Sequence, residues 1–151
     1  MLAAAVLCWT LDAASGPMYV YPGYEIGTAV RGGFELSHAI RRHLSAVLTA
    51  RAGATYIDAW RPVFEAAGGL SWRDLVDVHV GVRHDDQLRR EGARANFRDP
   101  TGRVFIGTMV LPFRKGRLAA GAAVDYERAL PGTGRLPSAV RATVIARLHV
   151  R

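Results

Sequence analysis

The spacing of apolar residues changes several times along the chain, and each change marks an expected element. Leu2 to Leu11 is apolar with β-branched and aromatic members and is followed by Ser-Gly-Pro at 15–17. That pattern predicts a strand with a turn behind it. Met18 to Tyr24 reads as a second extended piece, which Pro22 confines to an edge or a strand end. Gly27 to Gly33 reads as a loop. Between Glu35 and Arg51, Leu36, Ile40, Leu44, Val47 and Leu48 fall at helical spacing, so periodicity predicts a helix there. The competing reading is a hairpin turning near Arg42-His43, with Ser45 to Thr49 as its second strand. Tyr56 to Ala67 is read as a helix closed by Gly68-Gly69, with Pro62 marking either a start or a kink.

Downstream the period shortens to two. Leu75 to Val82 alternates as a buried strand, with Val76, Val78, Val80 and Val82 on one face and Asp77, His79 and Gly81 on the other. Asp85 to Phe97 is either an exposed helix or, at Ala93–Arg98, a strand paired with Val104–Leu111 across Asp-Pro-Thr-Gly at 99–102. Arg103 to Leu111 is a strand in both readings. Arg114-Lys115-Gly116 makes a turn, and Leu118 to Tyr126 is the antiparallel partner beyond it. Pro131 to Pro137 is loop, and Ser138 to Val150 is either a strand or an amphipathic helix.

Composition adds boundaries to this picture. A chain of 151 residues that is 50% hydrophobic and 22% charged fits one globular domain with a real core. The net charge of +7 comes almost wholly from arginine, whose fork suits carboxylate and phosphate partners. These cations are scattered, and no aromatic residues interleave with them for base stacking, so most are expected to be solvated surface. The single Cys8 excludes a disulfide framework and suggests a reducing compartment. The opening run lacks a basic leader segment and is broken by Asp12, so it is expected to be a buried strand instead of a signal peptide. No apolar run has the length of a bilayer-spanning helix.

Motifs narrow the chemistry mostly by exclusion. The histidines at 38, 43, 79, 84 and 149 form neither HExxH nor a Cys/His cluster, so no metal is expected. Gly-X-Ser-X-Gly, a P-loop and a dinucleotide fingerprint are missing, and no cofactor is expected. Gly32-Gly33-Phe34 offers backbone N–H groups to an anion if a helix follows. Arg103, just past a turn and opening an apolar strand, is the sharpest candidate for binding a carboxylate.

Phe64-Glu65-Ala66-Ala67-Gly68, then Asp74 to Arg83 with its alternating valines, then Asp85-Asp86, and Arg103 ahead of Leu111-Pro112 occur in a familiar order. Upstream, Ser37-His38-Ala39-Ile40-Arg41 with Thr49-Ala50 matches a first hairpin. In this order and spacing the chain resembles the Rid superfamily (YjgF, or reactive intermediate deaminases) over roughly residues 36–127. The resemblance implies an α+β domain, a mostly antiparallel sheet with two helices packed on one face. It also implies a cytoplasmic homotrimer with sites between subunits, and hydrolysis of a carboxylate-bearing enamine or imine. Arg103, Thr49, Ala50 and Phe105 would bind substrate. Leu118 to Val124 contains no acid, so the water-positioning role falls to Asp125 or Glu127.

Two alternatives stand beside it. A hotdog thioesterase or dehydratase would use residues 35–51 as its central helix, Gly33 as an oxyanion donor, and Glu35 or His38 as the polar actor. A basic RNA- or ligand-binding module would need no catalytic groups. In all three readings no membrane is expected. Residues 36–50 discriminate the first two, as a hairpin or as one helix.

Overall fold

The computed structural model describes residues 5–20, 23–56, 60–85, 89–91, 94–96, 101–130 and 138–150. Its elements are β1 (Ala5–Val20), β2 (Gly23–Arg41), β3 (Leu44–Tyr56), β4 (Trp60–Trp72) and β5 (Val76–Asp85). They continue with β6 (Arg89–Glu91), β7 (Arg94–Asn96), β8 (Thr101–Lys115), β9 (Leu118–Ala129) and β10 (Ala139–Val150). Antiparallel pairing runs in the order β1-β10-β9-β8-β5-β4-β3-β2 and closes into a barrel, while β6 and β7 form a separate two-stranded ribbon. Closure leaves none of the barrel strands with an unpaired edge.

The α+β expectation, and with it the Rid resemblance, is overturned: no helix occurs among the described residues. Residues 27–33, expected as a loop, lie within β2, and 28–33 pair on both sides. Over 35–51 the helix is replaced by the β2–β3 hairpin, turning at Arg42-His43, where Leu36 pairs with Leu48 and Glu35 with Thr49. That helix was the core of the hotdog alternative, which falls with it. The expected helix over Tyr56–Ala67 is largely β4, and Pro62 is accommodated near the start of that strand, opposite Ala54. The strands expected at 75–82, 103–111 and 118–126 are present as parts of β5, β8 and β9. Ser138–Val150 resolves as strand β10 over 139–150. The pairing expected between Ala93–Arg98 and Val104–Leu111 does not occur within the described residues: Arg94–Asn96 pairs with Arg89–Glu91 instead. Residues 99–100 and 131–137 lie outside the described residues.

The barrel is inside out relative to the core expected from the sequence. Each strand alternates between its two faces, but the apolar row faces outward. Val78, Val80 and Val82 are 51%, 59% and 49% exposed, whereas Arg103 is 2% and Glu127 0% exposed. Outward rows on the other strands carry Leu7, Trp9 and Leu11, Phe34 and Leu36, Phe64 and Leu70, Ile106 and Val110, Val124, Val144 and Leu148. The inward rows hold Asp12, Arg31, Glu65, Arg83, Asp125, Glu127 and Arg147, all buried. A small apolar cluster of Ala14, Met109, Leu111, Ala119, Ala123 and Ile145 fills part of the interior.

The two ends differ. The turns β2–β3 (42–43), β4–β5 (73–75) and β8–β9 (116–117) are short, and they share one end with the start of β1 and the finish of β10. Arg73 and Asp74 both adopt positive φ, at 55° and 51°, and Leu75 N–H donates to the Trp72 carbonyl at 3.0 Å. This is the primed turn whose twist matches a tight antiparallel hairpin. The longest connection, carrying β6 and β7, leaves the opposite end.

Candidate functional site: the charged interior

The interior is a cross-strand ladder of charges, and the strand register builds it. Arg51 lies opposite Glu65, Glu65 opposite Arg83, and Arg83 opposite Arg103, on successive strands. The adjacent cations at Arg83 and Arg103 are bridged by Glu127 from β9. Its carboxylate accepts from Arg103 Nη1 at 3.0 Å and from Arg83 Nη1, and it lies 3.1 Å from Arg141 Nε. On the other side of the barrel Asp12 faces Arg147 directly. The pair is bidentate, at 2.8 and 3.2 Å, the geometry that a planar fork and a carboxylate prefer.

Glu65 is the hub. It accepts from Arg31 at 2.6 Å, from Arg51 at 3.2 Å, and from Arg83 Nε and Nη2 at 2.9 and 2.7 Å. Arg51 also approaches Asp12 at 3.3 Å, so the Glu65 and Asp12 groups are one connected network. Burying such charges is costly unless each finds partners, and here several carboxylates serve more than one guanidinium.

Small residues give these long side chains room. Gly33 sits opposite Arg51, and Gly53 opposite Arg31. Gly107 lies between His79 on β5 and Asp125 on β9, whose side chains meet over it at 2.9 Å. A Cβ at Gly107 would collide with the Asp125 carboxylate and come within 2.9 Å of His79 Nε2, so only glycine leaves that pair intact.

The sequence candidates fall unevenly on this structure. Arg103, Asp125 and Glu127 all face the interior, and Arg103 and Glu127 are hydrogen-bonded to each other. Phe105 also points inward, under the Arg83 guanidinium at 4.5 Å and edge-on to His79 at 5.6 Å. Thr49 is on the inner wall beside Arg51, while Ala50, the next residue, points outward and is exposed. Gly33 faces inward and Glu35 pairs with Arg147 at 3.2 Å, but His38 lies on the outer face. Sequence reasoning missed Asp12, Arg31, Arg51, Glu65 and Arg147 as members of one site. The available signal was a charged residue recurring at even spacing inside otherwise apolar runs, as in Arg31-Gly-Gly-Phe-Glu35.

These positions correct the functional expectations. An imine-hydrolysing trimer needs Arg103 at an intersubunit cleft, yet Arg103 is sealed inside its own barrel. An RNA-binding face needs a surface stripe of cations, yet Arg31, Arg83, Arg103 and Arg147 are buried against carboxylates, and the exposed Arg41, Arg42, Arg114 and Arg117 lie at or beside turns of the short-turn end. A cytoplasmic chain with no membrane contact is contradicted by an outer wall carrying exposed large apolar residues on every barrel strand.

No protein-family model matches the sequence, and no curated protein matches it. Among solved structures the chain is similar in shape to one from "De novo design of transmembrane beta-barrels", with a TM-score of 0.48 and 12% identity, covering 95% of each chain. It is also similar to Neisserial surface protein A (NspA), with a TM-score of 0.46 and 14% identity, covering 96% of this chain and 98% of that one. Neither likeness identifies this chain.

Proposed function

We propose that the chain spans a lipid bilayer as a closed barrel with a salt-bridged plug for an interior, and serves as a membrane-embedded scaffold. The observation that carries this reading is the inverted alternation, apolar outward and charged inward, around the whole wall. In lipid every backbone N–H and C=O must be satisfied within the protein, and a closed barrel meets that demand. β4 spans 13 residues, with outward Trp60 and Trp72 at its two ends. At ~3.3 Å per residue and a tilt near ~40°, those rings lie roughly 30 Å apart along the axis, close to the hydrocarbon thickness of a bilayer. Trp9 packs on Phe34 with ring centroids 3.9 Å apart, and Tyr56 on Trp60 at 5.4 Å, which places aromatic pairs on the outer wall. Aromatic girdles flank the apolar band of barrels that cross membranes. Both long connections, 86–100 and 130–138, leave the end opposite the three short turns, which fits the same architecture.

Trp9, Trp60 and Trp72 all point outward and are the chain's only tryptophans, so fluorescence tests the proposal directly. In vesicles carrying brominated acyl chains, tryptophan emission should be blue-shifted and strongly quenched. Emission that stays water-like and unquenched in those vesicles would exclude the membrane reading.

The plugged interior makes a separate prediction. Arg103, Glu127, Asp12 and Arg147 are at most 2% exposed, so the ion-paired side chains narrow the interior between the two ends. An eight-stranded wall encloses space for its own side chains or one small ligand, not for a wide aqueous channel. Reconstituted in planar bilayers, the protein should show no steady ion conductance. A stable, wide conductance would contradict the plug while leaving the bilayer-spanning wall untouched.

A further inference from the structure

At the short-turn end the interior opens into a mouth whose lining includes Cys8, Glu35, Asp74, Asp77, Arg114 and His149. Cys8 and Glu35 are directly opposed on β1 and β2, and His149 on β10 pairs with Thr10, one inward step from Cys8. Three adjacent strands therefore bring a thiol, a carboxylate and an imidazole to one spot. Cys8 Sγ is 3.8 Å from His149 Nδ1, and ligand atoms of Cys8, Glu35 and His149 lie within 4.8 Å of one another.

We propose that this triad is a binding site for a thiophilic divalent cation of the zinc type. A tetrahedral ion with a Zn–S bond of about 2.3 Å and a Zn–N bond of about 2.05 Å places sulfur and nitrogen about 3.5 Å apart. The observed 3.8 Å is already near that spacing, and bringing in the Glu35 oxygen takes a small side-chain adjustment. Both guanidinium contacts to Glu35, from Arg147 at 3.2 Å and Arg51 at 3.9 Å, fall on Oε2, which leaves Oε1 to bind the ion. Those contacts orient the carboxylate as outer partners of a metal ligand do. His149 is held in place by its backbone N–H, which donates to the Arg117 carbonyl at 2.9 Å. With one thiolate and one carboxylate the loaded site is neutral, one positive charge above the empty site, in which the Glu35 carboxylate already stands beside Arg147. The mouth leaves the fourth position to water or to a ligand arriving from outside.

Binding releases the Cys8 proton to solvent, and no redox change is involved. The test uses the untagged, folded full chain under reducing conditions, titrated with Co²⁺ alone. A thiolate-to-cobalt charge-transfer band is expected, absent in Cys8→Ser and requiring at least tenfold more Co²⁺ in His149→Gln and Glu35→Gln. On the wild-type chain, Zn²⁺ should slow alkylation of Cys8 by a thiol reagent at least tenfold, a reading independent of whether any variant folds. A Co²⁺ titration without the band, a band indifferent to His149→Gln and Glu35→Gln, or an alkylation rate unchanged by Zn²⁺ would each overturn the site.

Discussion

Replacing Glu65 with alanine is expected to destabilise the barrel more than any other single truncation of its interior. Glu65 is 6% exposed and accepts hydrogen bonds from Arg31, Arg51 and Arg83. Removing it leaves those guanidiniums buried with their charge uncompensated at that point. Breaking a buried pair by deleting one partner costs about 3–5 kcal/mol, and a hub shared by several cations belongs at the upper end of that range. Arg83 keeps Asp125 at 3.1 Å and Glu127, so part of the loss is absorbed there. Arg31 has no such reserve among the ion pairs described, and it is the group on which the cost should concentrate. Equilibrium unfolding of the reconstituted protein in urea, wild type against Glu65→Ala and Glu65→Gln, gives the measurement. The glutamine keeps hydrogen-bonding capacity without the charge, so its loss should fall between the other two. A loss under about 1 kcal/mol for alanine would show that the network contributes little net stability.

The second large effect lies on the opposite face. Val80→Arg puts a guanidinium on the outer wall in the middle of β5, across from Ile106. Val80 is 59% exposed, and on a water-facing surface such a change would ordinarily stay within about ±0.5 kcal/mol. Facing lipid near the middle of the bilayer, arginine costs about 2–4 kcal/mol, falling toward zero at the interfaces. Arg128, outward near the end of β9, shows where the wall already carries a charge. Unfolding from vesicles should therefore show a loss of at least about 2 kcal/mol for Val80→Arg. A difference within error would place that face in water and remove the basis for a bilayer-spanning wall.

The wall was partly legible and its inversion was not, for a physical reason. Alternating Val76, Val78, Val80 and Val82 predicts a strand with one apolar face whether that face meets a protein core or lipid tails. β5, β8 and β9 were readable on that ground. The false helix at 35–51 has a related cause. Leu36 and Ile40, then Leu44 and Leu48, are four apart, and four is a multiple of the strand period as well as close to the helical one. Of that set Val47 breaks the parity and lies on the inner wall, where a row of one strand face has no place for it. Trp60 and Phe64 repeat the ambiguity in β4. The charged interior was harder still. Asp12 read as a break in an apolar run, Arg51 only as the end of the 35–51 segment and Glu65 only as part of the Phe64–Gly68 motif, because their partners are set by register between strands and not by distance along the chain. Arg103, Asp125 and Glu127 drew notice one by one, as groups able to bind or move protons. That Glu127 bridges Arg83 and Arg103 follows only from Phe105 standing opposite Glu127 in the β8–β9 register.

The seam between β1 and β10 bears on the order of assembly. Every other barrel contact in the wall joins strands that follow one another in the chain or flank the β6–β7 ribbon. The seam joins Asp12 to Arg147, whose sequence separation of 135 spans most of the chain. Hairpins can therefore form and insert early, but the first strand must wait for the last to emerge. Until then Asp12 lacks the Arg147 fork, and a half-built sheet exposes two raw edges, which on the proposed membrane reading would face lipid. Zipping that seam closes the wall, and a chain stalled before it would keep Asp12 on Arg51 alone and leave two free edges.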